Sequence, residues 1–291
     1  MFSKVEIDMK KIIISFVRLL SKVAPKKAAI IAFRIFTLPR RSKRKPLEEE
    51  FWDSGQRISV ASGRSARSWG EGETIFFIHG WESRGSHFYK IIPYFLEAGF
   101  RCVVWDGPAH GNSPGKYSNA PDFARCLKED LVDIGTVRTI VGHSMGGASL
   151  GILARDTQIL ADDTNLVFVS SPSSIREVFN AFSSYLGLSK KSAQELIFLA
   201  RDKIGMGVDE ASLLFNDLSI HYKNILVVHD CDDREISFEN FNKLKTKWSG
   251  GTFSSTSGFG HRRIVGRLEL AEIILKFISE RIDKEGLYAK N

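Results

Sequence analysis

Four short runs of this sequence are apolar at every position: IFFI at 75–78, CVVW at 102–105, LVFV at 166–169 and ILVV at 225–228. A strand with one wet face alternates apolar and polar side chains, so a strand without alternation must be covered on both faces. Strands are expected at Arg57–Ala61, Thr74–His79, Cys102–Asp106, Thr139–Gly142, Leu166–Ser170, Ile225–His229 and Thr252–Ser255. Helix-length amphipathic segments lie between them, at 86–98, 121–134, 145–156, 237–247 and 262–282. Strands alternating with helices predict an α/β fold, a mostly parallel central sheet with helices on both faces. The 291 residues suit one such domain with a small insertion. The expected organisation is a core of 56–172 and 224–291. A helical cap insertion, 173–223, is expected over the carboxyl ends of the strands, where open α/β sheets bind ligands.

The charge is unevenly placed. Residues 1–45 hold thirteen Lys/Arg and two Asp/Glu, and the rest of the chain holds 28 basic and 32 acidic residues. A mildly acidic body argues against a nucleic-acid substrate. The basicity belongs to an N-terminal arm, 1–55. In MKKIIISFVRLLSKVAPKKAAIIAFRIF (9–36), apolar residues recur at helical spacing and Lys11, Arg18 and Lys22 interrupt them. Pro25 is expected to end one helix and open a second over 26–36. The run LPRRSKRKP that follows reads as an exposed linker. The arm packs on the body as a helical extension, touches an anionic membrane surface through residues 9–45, or serves as a nucleic-acid arm. No signal peptide and no spanning segment are expected. Cys102, Cys126 and Cys231 form no CxxC pair, so a reducing, cytoplasmic setting is expected, with peripheral contact at the inner membrane surface left open.

VGHSMGG (141–147) carries the chemistry. It contains the G-x-S-x-G pattern at Gly142-His143-Ser144-Met145-Gly146. The pattern alone is weak, but here TIVG before it reads as a strand and ASLGILAR after it as a helix. Such a tight strand-to-helix turn strains the central residue and holds its hydroxyl out above the sheet. Ser144 is therefore the candidate nucleophile. A serine hydroxyl needs a base, and the base needs an orienting acid. Both are expected after the nucleophile, acid first. Of seven histidines only His261, in SGFGHRRIV, has that order and a loop placement. The acid comes from ILVVHDCDDREIS: Asp233 is preferred, four residues past the strand-end His229, with Asp232 and then Asp230 as alternatives. The amides of Trp81, after the first core strand, and of Met145, at a helix start, are the expected oxyanion donors. Asp106 and His110 in WDGPAHGNSPG, and His79, are expected to scaffold loops.

With HGW, DGPAHGNS, GHSMGG, the post-strand acids and GFGHRR in this order, residues 56–285 resemble the α/β-hydrolase superfamily, and within it the esterase- and lipase-like members with a helical cap after the sixth strand. Two departures stand out: His229-Asp230-Cys231 replaces the HG-G-D form common before the acid, and residues 1–55 lie outside the family core. The resemblance implies a serine hydrolase with no cofactor and no metal, acting as a carboxylesterase on small or medium acyl esters. The same residues would serve a thioesterase, lipase, peptidase or acyltransferase. A non-catalytic relative that binds a small molecule or a partner is the reading from another class. Ser144 in place of an aspartate argues against a haloalkane dehalogenase.

Overall fold

Successive strand residues point to opposite faces of a sheet, so an all-apolar strand feeds two cores at once. That division is what the computed structural model of the chain contains; it describes the backbone of residues 4–288 and the side chains of Met9 and residues 11–281. In chain order the elements are α1 (Lys4–Val23), α2 (Pro25–Thr37), α3 (Pro46–Ser54), β1 (Gln56–Ser59), β2 (Ser65–Trp69), β3 (Thr74–Ile78), α4 (Ile92–Glu97), β4 (Arg101–Trp105), α5 (Ala120–Ile134), β5 (Thr139–His143), α6 (Met145–Leu153), β6 (Asn165–Val169), α7 (Ile175–Leu186), α8 (Lys190–Ile204), β7 (Ile225–Asp230), α9 (Glu239–Lys247), β8 (Thr252–Thr256), α10 (Gly260–Arg263) and α11 (Leu268–Tyr288).

The described residues form two compact units, 39–173 with 213–291, and 1–38 with 174–212. The first holds one eight-stranded sheet of order β1-β2-β4-β3-β5-β6-β7-β8. Strand β2 runs antiparallel to β1 and β4, and every other pairing is parallel. Phe76, Ile78, Val103, Trp105, Phe168 and Val227 face one core, packed by α5, α6 and α9 through Phe123, Leu127, Leu150 and Leu244. Their neighbours Ile75, Phe77, Val104, Val167 and Val228 face the other, with Phe95 of α4 and Leu270, Ile274 and Phe277 of α11. The unit is therefore an α/β fold, a mostly parallel sheet covered by helices on both faces.

Two elements of this unit escape the sequence pattern. Strand β2, SARSW, buries only Ala66 and Ser68, side chains too small or too polar to mark a core face. Helix α3 follows the basic run and buries Glu48 and Trp52. The helix expected over 86–98 is split into a 3-10 turn at Gly85–Phe88 and α4, in which Pro93 occupies the first turn, where a missing N–H costs nothing.

The basic run is exposed at residues 40–43, 45 and 46, as expected of a linker, but two of its arginines are bonded into the sheet unit. Arg41 donates to the carbonyls of Gly111, Ser113 and Gly115. The Arg44 side chain is only 5% exposed; it bonds Ser86, Asn112 and Asp106 and lies 4.1 Å over the Trp52 ring. Asp106 is wholly buried and needs a cation, and the run supplies it. Arg84 and Glu48 form a second buried pair at 2.6 Å.

In the other unit, α1 and α2 pack with α7 and α8. Residues of the basic arm and of the expected cap thus share one small core, built on Val17, Ala29, Ala32, Phe179, Leu186 and Leu196. Phe36 stands 4.5 Å from Phe179 and 5.0 Å from Phe182, centroid to centroid. Ser174 and Ser189 cap α7 and α8, which end at Gly187 and Gly205. The remainder of the expected insertion, with Leu213, Leu218 and Tyr222, belongs to the sheet's first core.

Candidate active site

Strand β5 lies between β3 and β6, and its last residue hands over directly to Ser144 and α6. Ser144 has φ 54, in the left-handed region that a residue with a Cβ enters at a cost. Its amide is tied to Val169 O at 2.9 Å, which holds the turn to the sheet. Packing explains the surrounding glycines. A Cβ on Gly146 would run into the Ile78 and His79 carbonyls, and one on Gly142 would meet the Gly147 backbone. The hydroxyl so presented is within 2.9 Å of His261 Nε2.

His261 Nδ1 is 2.7 Å from Asp233 Oδ2. An ionised carboxylate only accepts, so Nδ1 carries the proton and Nε2 is left to take the one on Ser144. Burial would raise the Asp233 pKa. The bond and charge of His261 and the amides of Ile236 and Glu235 outweigh it and hold the group below the usual aspartate value. Of the three carboxylates at and just after the end of β7, Asp233 alone touches His261. Asp230 accepts from Thr256 Oγ1 and from the amides of Asp232, Phe259 and Gly260. Asp232 accepts from Gly258 N at 2.7 Å. Both fix the loop that carries His261.

His143 has a part that the sequence does not announce. Its Nε2 donates to the His261 carbonyl at 2.9 Å, pinning the backbone of the base. Burial, then the neighbouring His261, lower its pKa to about 3, so it is neutral at ordinary pH and the bond fixes the tautomer protonated on Nε2. A histidine directly before the nucleophile was the one available signal.

The loop after β3 passes hard against the nucleophile: a Cβ on Gly80 would lie 2.9 Å from Ser144 Cβ. The register that pairs Ile78 with Gly142 brings the ends of β3 and β5 side by side, and Trp81 and Ser144 both line the cavity described below. Met145 opens α6, where first-turn amides have no helical acceptor. The Trp81 ring packs edge-on against His110, 5.2 Å between centroids, at the rim and not in the core.

His79, His110 and Asp106 brace these loops. His79 Nε2 accepts from Gly107 N, so its Nδ1 donates to Gly80 O, and burial drives its pKa well down. His110 accepts from Glu82 N and donates to Pro108 O, with burial lowering its pKa to about 4. Asp106 accepts from the Gly85 and Asn112 amides.

Ser144 and His261 open into a cavity of about 430 Å³, bordered also by Trp81, Ser83, His87 and Val265. Lys90, Arg263 and Arg267 stand at its edge. The arrangement can deprotonate a hydroxyl and hold the resulting imidazolium beside an anionic carboxylate.

A sequence model described as the alpha/beta hydrolase family matches residues 75–237. Over 87 residues, 29% of this chain, the sequence is 33% identical to the non-heme chloroperoxidase CPO-A1 of Kitasatospora aureofaciens. The chain spans about a third of the length of the curated relatives it matches, 32% in each of two. Among solved structures, the esterase EaEST of Exiguobacterium antarcticum superposes with a TM-score of 0.58 at 15% identity, over 77% of this chain and 99% of the esterase. Est1E of Butyrivibrio proteoclasticus, solved with ferulic acid bound, gives 0.60 at 18% identity, over 78% and 99%. These two likenesses are of fold. With more than half of the sequence matched by the family's model, the chain belongs to the alpha/beta hydrolase family.

Proposed function

We propose that the protein is a serine hydrolase that cleaves carboxylic esters through an acyl-enzyme on Ser144. One observation carries this reading: the unbroken line Ser144 Oγ, His261 Nε2, His261 Nδ1, Asp233 Oδ2, at 2.9 and 2.7 Å, ending in an open cavity. His261 takes the Ser144 proton as the oxygen attacks the ester carbonyl, and the tetrahedral oxyanion forms beside the Trp81 and Met145 amides. His261 returns the proton to the departing alcohol. A water molecule, deprotonated by the same nitrogen, then attacks the acyl carbonyl and frees Ser144. Asp233 keeps the imidazole in the required tautomer and favours its charged form.

The test is hydrolysis of short p-nitrophenyl esters, together with labelling by a fluorophosphonate. Wild type is expected to turn over and to label. Ser144→Ala is expected to lose at least about 10³-fold in kcat and all labelling. Undiminished turnover by that variant would end the proposal.

A further inference from the structure

Helix α1 has three faces. Val17 and Ser21 are fully buried on one, within the unit of residues 1–38 and 174–212. Ser21 is clamped there: its carbonyl accepts from Ser189 Oγ at 2.9 Å and Ser192 Oγ at 3.1 Å, and its hydroxyl from the Ser189 amide at 2.6 Å. The clamp fixes which way the helix is turned. A second face presents Met9, Ile12, Ile13, Phe16, Leu19 and Val23, each 44–75% exposed. At 100° and 1.5 Å per residue these six fall within an arc of about 120° and run for about 21 Å. The third face carries Lys11, Arg18 and Lys22, all exposed, and Lys26 and Lys27 are exposed at the start of α2.

A contiguous stripe of large apolar side chains is unfavourable in water and marks a surface that something covers. Charge selects what covers it. The cationic face borders the stripe on the side away from Val17 and Ser21, and residues 1–45 carry eleven more basic than acidic side chains. A second copy laid along the same stripe would bring like charges together, whereas a bilayer with anionic headgroups meets them with opposite charge. Among the described residues no helix is long and apolar enough to cross a membrane, so α1 would lie in the interface plane. We propose that α1 docks the protein on an anionic phospholipid surface, its apolar stripe entering the interface and Lys11, Arg18 and Lys22 meeting headgroup phosphates.

The experiment is co-sedimentation of the full chain with vesicles of phosphatidylcholine alone and of phosphatidylcholine mixed with phosphatidylglycerol. Pelleting is expected with the mixed vesicles and is expected to fall as salt is raised. The double substitution Phe16→Ser, Leu19→Ser changes only exposed positions and should leave the thermal midpoint in place. It should lower the bound-to-free ratio at least about tenfold. Lys11→Glu with Lys22→Glu should lower binding to the mixed vesicles alone. Ser144→Ala should pellet like wild type, so docking and ester hydrolysis are read separately. Absence of pelleting, equal pelleting on both vesicle types, or full binding by the Phe16/Leu19 variant would overturn the proposal. So would a lipid-free dimer in sedimentation velocity that this variant disrupts.

Discussion

At the scale of single residues, three carboxylates within four positions divide two jobs between them. Asp233 faces His261, while Asp230 and Asp232 hold the loop that delivers it. Removing the charge at Asp233 leaves His261 without its orienting partner. Asp233→Asn is therefore expected to cut ester turnover by about 10³–10⁴-fold. Asp232→Asn should stay within a few-fold, and p-nitrophenyl ester kinetics compare the two directly. Asp230 is a stability group. Burial raises its pKa, but the Gly260 amide, the Thr256 hydroxyl and the Phe259 and Asp232 amides lower it further, so it titrates below the ordinary aspartate value of 3.8. A folded-state pKa below the unfolded one contributes stability that is complete above 3.8 and lost as pH falls through the lower folded value. Asp230→Asn should be less stable than wild type by about 1–3 kcal/mol at pH 7. That difference should shrink below pH 3.8, as urea midpoints at the two pH values would show.

At the scale of elements, the packing of arginines into the sheet unit makes the stretch before α3 structural. Arg44→Ala would leave Asp106 buried beside an empty cation position and is expected to cost about 3 kcal/mol, read from urea unfolding. A Cβ at position 146 would meet backbone carbonyls that cannot move aside, so Gly146→Ala should fold poorly and give little soluble protein. The core strands β3 to β7 were legible because burial on two faces demands unbroken apolar runs. Strand β2 was not, since Ala66 and Ser68 are what its buried face holds. Ser144 and His261 were legible from chain order and from the turn. The acid was narrowed but not fixed, because all three carboxylates reach the loop of His261 and only the geometry of the turn after β7 decides which one meets the ring. The buried role of Arg44 was invisible in a run where five of the six residues 40–45 are cations.

Across the whole molecule the two units differ in how much core they own. Among the described residues, eight buried apolar side chains form the core built on α1, α2, α7 and α8, against twenty-six and twenty-one on the two faces of the sheet. Smaller cores open at lower free energy. Amides of α1, α2, α7 and α8 are therefore expected to exchange with solvent deuterium at least about tenfold faster than those of β3 to β7. Mass-spectrometric exchange on the native protein measures this.

That smaller core is also discontinuous in the chain, since α2 ends at Thr37 and α7 begins at Ile175. During synthesis α1 and α2 leave the ribosome about 140 residues before the helices that complete their core, a wait of roughly 7–28 s at about 5–20 residues per second. Through that interval Val17 of α1 and Ala29 and Ala32 of α2 have no α7 or α8 to pack against. The small core therefore closes only once the second half of the chain has been made.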